Sequence, residues 1–157
     1  MASKKGVALT IGIAAAIIGS SFLIWYLPQG VSPDVPRTDG EIISDVYARH
    51  NDLASSVDLE FERWKDNETA TADMSSQLVS AESQIGEMRQ QLDGRQPAQE
   101  WQESYDIYVQ ALDAYVAYLD ALAQKVGDGD RTDPDPALYQ SWNDLVEQSV
   151  EAMPINN

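Results

Sequence analysis

The chain has 157 residues, with 26 acidic against 10 basic side chains, a formal net charge of −16 and no cysteine. That length suits one compact domain with a short additional segment. The acid excess removes nucleic acid from the expected partners and argues against docking on anionic lipid, because both need a basic face. The missing cysteine removes disulfides, thiolate nucleophiles, thiolate metal sites and a bacterial-type lipoprotein anchor.

The charge is unevenly spread. Residues 1–27 carry two charges, Lys4 and Lys5, and every carboxylate lies beyond Pro28. With eight basic residues there, that part has a net charge of 8 − 26 = −18. Aspartate (16) outnumbers glutamate (10), and lysine is scarce beyond the leading segment, a surface chemistry that resembles proteins adapted to high salt.

Residues 7–27 form an uncharged run of 21. At about 1.5 Å per residue such a helix spans roughly 30 Å, the thickness of a bilayer's hydrocarbon core. The run is expected to be a transmembrane helix. Lys4 and Lys5 flank its start, which places residues 1–6 in the cytoplasm by the positive-inside rule. Trp25 and Tyr26 sit at the far end, where amphipathic rings favour the membrane interface, and Pro28 stops the helix. A cleaved secretory signal is one alternative. A pilin-like leader, cut after Gly6 in Lys4-Lys5-Gly6-Val7, is another. Gly12 with Ala16, and Ala15 with Gly19, have the small-xxx-small spacing that lets membrane helices approach, so a homo-oligomer is compatible with the sequence.

Residues 28–40 hold three prolines and two glycines and are expected to form an extended stalk. Residues 41–153 are expected to form an acidic, extracytoplasmic helical bundle, which makes the fold class all-α. Thr38 and Glu41 have capping-box spacing at the start of a first helix. Ile43, Val46, His50, Leu53, Val57, Phe61 and Trp64 then make one helical stripe. A second helix carries Met74, Leu78, Ala81, Ile85, Met88 and Leu92, with Gly94 as its C-terminal glycine. Pro97 is expected to open the third helix. Its seam is the clearest pattern in the chain: Trp101, Tyr105, Tyr108, Leu112, Tyr115, Leu119, Leu122 and Val126 alternate spacings of four and three, as in a heptad repeat. Gly127 is expected to end it. Asp133-Pro134 or Asp135-Pro136 starts a fourth helix, with Leu138, Trp142, Leu145 and Val146 inward and Pro154 at its end.

The phase of helix one also continues through Asn67 and Thr71 into helix two, so a long helical hairpin or coiled coil is the alternative architecture. A break near 66–70 is the better expectation. Without it Leu53, Val57, Phe61 and Trp64 lack partners, at about 1.5–3 kcal/mol of burial each. Folding back gives an antiparallel four-helix bundle.

Few residues offer chemistry. Asn67-Glu68-Thr69 is a glycosylation triplet in the expected loop. Asp128, Asp130, Asp133 and Asp135 lie in one acidic loop, where oxygen ligands at alternate positions suit Ca²⁺. The EF-hand template nevertheless fails, with Asp133 where glycine belongs and Tyr139 where glutamate belongs. A solvated turn that caps helix four explains the same residues. His50 is the one histidine, so a paired Glu-x-x-His di-iron site is excluded within the chain. Tyr118 lies off the seam and is expected to face a partner. No catalytic set emerges and no cofactor is expected.

Lys4-Lys5-Gly6, followed by an apolar run closing as Ser20-Ser21-Phe22-Leu23-Ile24-Trp25-Tyr26-Leu27-Pro28-Gln29, resembles the start of small single-pass proteins of ammonia-oxidising, thaumarchaeal archaea. Gln99-Glu100-Trp101-Gln102-Glu103-Ser104-Tyr105 is similar to a recurring segment of the same proteins. The resemblance implies an archaeal cell-envelope setting and no particular activity. The expected function is a non-enzymatic interaction or scaffold module, held in the plasma membrane with its C-terminal domain outside, docking a membrane complex or surface-layer component. With about six residues inside, it has no cytoplasmic output of its own. A pilin-like filament subunit and a cation- or ligand-binding bundle are the alternatives.

Overall fold

A computed structural model of the chain describes residues 37–154. The expected membrane span 7–27, its flanking Lys4, Lys5, Trp25 and Tyr26, and most of the stalk lie outside the described residues. Within them no helix is long and apolar enough to cross a membrane.

Four α-helices and no strand form among the described residues: α1 (Asp39–Lys65), α2 (Thr71–Asp93), α3 (Gln102–Asp128) and α4 (Pro136–Glu151). The start of α1 is fixed as the spacing predicts. Thr38 Oγ1 accepts from the Glu41 backbone N–H at 3.2 Å, and the Glu41 carboxylate accepts from the Thr38 N–H at 2.8 Å. Both bonds satisfy donors that a helix start leaves free. The helix therefore takes in Asp39 and Gly40, which the sequence reading assigned to the stalk, and the compact unit begins at Arg37.

The break between helices one and two is real and has a defined geometry. Asn67 adopts a left-handed φ of 63°. Its N–H donates to the Trp64 carbonyl at 3.1 Å, and that of Glu68 to the Arg63 carbonyl at 2.8 Å. This is a Schellman closure, with asparagine in the position that glycine usually fills. A single rod from helix one into helix two is thereby excluded. The same closure ends α3, with Gly129 at φ 69° and bonds from Gly129 N–H to Val126 O and from Asp130 N–H to Lys125 O. The reversing glycine is thus Gly129. Gly127, expected to end the helix, lies inside it. Gly94 ends α2 as expected, with right-handed backbone at φ −73°.

One further boundary differs from expectation, and one left open is settled. Pro97 does not open α3. A short 3₁₀ turn, Gln99–Trp101, intervenes, and the Ala98 N–H is taken by the Asp39 carboxylate at 2.9 Å. The fourth helix starts at the second Asp-Pro pair. Asp135 caps it by accepting from the Ala137 N–H at 2.9 Å, and Pro136 occupies the first turn, where no N–H is needed. The helix stops at Glu151, ahead of Pro154.

Cross-helix bonds set the topology. Gln77 reaches Ser56, and Arg49 reaches Gln91, so α1 and α2 run antiparallel. Ser104 meets Ser149 while Tyr118 meets Tyr139, so α3 and α4 do likewise. Tyr105 reaches Asp39 and Tyr118 reaches Asp58, which makes α1 and α3 parallel. The result is an up-down-up-down helical bundle. Helix α3 is its pillar, packing against α2 and α4 and bonding to α1. The expected stripes of helices one and two are buried throughout.

That pillar position widens the buried face of α3. Seven of its eight seam residues are buried, from Tyr105 to Val126. Trp101 is the exception: it is half-buried in the 3₁₀ turn, its ring lying on the Cα of Gly40, where an added Cβ would come within 2.9 Å. Ala111 and Tyr118, off the seam, are buried as well. A heptad seam suits one partner, whereas a helix touched by three others needs a broader apolar arc.

Candidate functional site

The chemically capable side chains gather between α1, α3 and α4, inside an aromatic cluster. His50 on α1 is 1% exposed. Its Nδ1 lies 3.1 Å from the Tyr108 hydroxyl on α3. The imidazole also contacts the rings of Tyr115 and Trp142, with centroids 4.7 and 5.2 Å away. Burial strips the ring of water and pulls its pKa down to about 4, so His50 is neutral at physiological pH. His50 lies on the buried stripe of α1, as its helical spacing predicts.

Toward the surface the cluster continues through Tyr118 and Tyr139. Tyr118, expected to face a partner, is instead buried, and its hydroxyl donates to the Asp58 carboxylate at 3.0 Å. Tyr139 stands edge-on to both Tyr118 and Trp142 and is 41% exposed, so it forms the outer lip. Asp58 has no cationic partner among the described residues. Desolvation pushes its pKa up to about 6; the Tyr118 bond works against this, and the Glu62 charge adds to it. The Tyr108, Tyr115 and Tyr118 hydroxyls are driven well above the ordinary tyrosine value by burial, so all three keep their protons.

This arrangement offers one carboxyl that titrates near neutrality, one neutral imidazole and several phenol donors. His50 Nδ1 is engaged with the Tyr108 hydroxyl. Sequence reading found His50 and the tyrosine seam but missed Asp58 and Tyr139. A stripe analysis passes over a carboxylate at the edge of an apolar arc, because the edge is where carboxylates ordinarily meet water.

The acidic loop behaves differently. Asp130 accepts from the Lys125 ammonium at 2.8 Å and from the Thr132 backbone and hydroxyl, which hold its pKa down at about 2. Asp133 pairs with Lys65. Asp135 caps α4. Three of the four carboxylates considered for Ca²⁺ are thus engaged by the protein's own donors, while Asp128 lies in the last turn of α3. Among the described residues no group of three or more histidine, cysteine, aspartate or glutamate side chains is arranged to hold a metal ion. Asn67 is exposed, as a glycosylation acceptor must be, but the hydroxyl of Thr69 in the same triplet is bonded to Glu60 at 2.6 Å.

No protein-family model, curated protein or solved structure matches the chain.

Proposed function

We propose that the chain is a membrane-anchored helical docking module of the cell envelope and not an enzyme. Residues 7–27 would hold it in the bilayer with Met1 on the cytoplasmic side. The acidic bundle would stand outside and engage a membrane complex or surface-layer component. The archaeal setting implied by the Lys4–Gln29 resemblance belongs to the same proposal.

One contrast within the chain carries this reading. An uncharged run of 21 residues is followed by a helical unit that holds all but one, Asp34, of the chain's carboxylate side chains. Most of the described carboxylates make no ion pair among the described residues. An acidic exterior of this kind favours basic partner surfaces and speeds encounter with them. The bundle's own apolar side chains form its core, so the exterior is the part open to a protein partner.

The test uses the absence of cysteine. Ser76 is exposed on α2, and Ser76→Cys gives the chain a single thiol. A membrane-impermeant maleimide should label it on intact cells, and alkaline carbonate should leave the chain in the membrane pellet. Labelling only after lysis would overturn the orientation, and release by carbonate would overturn the anchor. Cross-linking in native membranes should then recover a reproducible partner with a basic surface. Recovery of random neighbours only would count against the docking role.

A further inference from the structure

Three buried polar atoms inside the aromatic cluster have no hydrogen-bond partner among the described residues: His50 Nε2, the Tyr115 hydroxyl and Trp142 Nε1. Their side chains are 1%, 0% and 7% exposed. They also touch one another. The ring centroids of His50 and Tyr115 are 4.7 Å apart, those of His50 and Trp142 5.2 Å, and those of Tyr115 and Trp142 5.1 Å.

A buried polar group without a partner costs about 1–3 kcal/mol, and folded proteins rarely leave one in place. Three orphaned groups on three mutually touching rings are a stronger signal than three scattered ones, because one guest could serve more than one of them. A buried water molecule typically makes about three hydrogen bonds to groups of this kind.

We propose that the meeting point of His50, Tyr115 and Trp142 is a binding site for one small, neutral, hydrogen-bonding molecule, filled by water when nothing else is present. The three side chains define its chemistry. Trp142 Nε1–H can only donate, so the guest must offer an acceptor lone pair. The Tyr115 hydroxyl can donate or accept. His50 Nε2 takes the role that its other nitrogen leaves it, since Nδ1 is committed to Tyr108. An indole N–H and a protonated phenol are not metal ligands, which rules out a bare cation. An anion is disfavoured, because the Asp58 carboxylate acts on Tyr115 from nearby. Walls of three rings in mutual contact limit the guest to one or two non-hydrogen atoms.

The three walls come from α1, α3 and α4, so the guest ties α4 to α1 as well as to its main neighbour α3. The inference is independent of what the outer surface docks, and either can fail without the other.

The experiment uses the full chain, ¹⁵N-labelled in detergent micelles. A water-selective nuclear Overhauser spectrum should show a cross-peak from a long-lived water to the Trp142 indole N–H, assigned by its disappearance in Trp142→Phe. Absence of that cross-peak overturns the site. The second readout is a thermal melt of Tyr115→Phe, which keeps the ring and removes only the hydroxyl. If the hydroxyl bonds to the guest, the melting temperature drops by about 4 °C or more. If the hydroxyl is merely desolvated, its removal leaves the melting temperature unchanged or raises it, and the proposal is overturned.

Discussion

The guanidinium of Arg131 lies over the indole of Trp64, 4.6 Å from the ring centroid, while donating to the Trp64 backbone carbonyl. One side chain from the α3–α4 loop thus closes the C-terminal end of α1. It places a positive charge at the negative end of the helix dipole and covers a buried aromatic. It also bonds to the Lys65 carbonyl at 3.3 Å, and Lys65 pairs with Asp133 of the same loop.

Arg131→Ala should therefore destabilise the bundle by about 1 kcal/mol, from the lost cation–π and helix-end contacts. Arg131→Lys should recover only part of that, because an ammonium keeps the charge but not the planar stack. Urea melts followed by circular dichroism compare the three proteins.

The pH dependence of stability should show two opposed contributions. His50 has its folded pKa lowered from 6.5 to about 4. Its contribution is complete above pH 6.5 and is lost as pH falls toward 4, for a total of about 3 kcal/mol. Asp58 has its folded pKa raised from 3.8 to about 6. The folded carboxyl holds its proton more tightly, so stability is gained as pH falls from above 6 toward 3.8, by a smaller amount for a half-buried group. Relative to the unsubstituted chain, His50→Gln should gain stability on acidification from pH 7 to 4, and Asp58→Asn should lose it. Denaturation midpoints that shift in parallel for all three would remove both assignments.

Ser104 on α3 and Ser149 on α4 are fully buried and exchange hydrogen bonds: each hydroxyl donates to the other's carbonyl, at 2.9 and 2.8 Å. Either serine changed to alanine should cost about 1 kcal/mol. The double variant should cost measurably less than the sum of the two, because the hydroxyls also contact each other at 3.2 Å. A double-mutant cycle with full additivity would show the two bonds to be independent.

Two glycines two residues apart should respond in opposite ways. Gly127 lies inside α3 with nothing near its missing side chain, so Gly127→Ala should stabilise by about 0.5–1 kcal/mol through helix propensity. Gly129 sits at φ 69° and closes the helix, so Gly129→Ala should destabilise by about 1 kcal/mol. Thermal melts of the two variants on either side of the unsubstituted chain would bear this out.

Local signals were legible because they act within one turn of chain. The capping box at Thr38 and Glu41, the Asp-Pro start of α4 and the stripes of α1 and α2 each depend on neighbours within a few residues. The end of α3 was harder to read. Gly127 and Gly129 were both chemically able to stop the helix, and the left-handed backbone falls at Gly129. In the candidate site, His50 and the tyrosine seam could be read from helical spacing. Tyr118 was misjudged because a seven-residue repeat describes contact with one neighbour, whereas α3 has three.

By itself the sequence determined that the described part folds as acidic helices with apolar faces, since periodicity and caps are properties of short stretches. Only the tertiary structure decided that α1 and α3 lie side by side in parallel, so that His50 meets Tyr108 and Asp58 meets Tyr118 across about 60 residues of chain. The physical reason is range. Backbone preferences act over a few residues, but the partner of a buried polar group is chosen by which helices pack together, and that choice minimises the exposed apolar surface of the whole bundle.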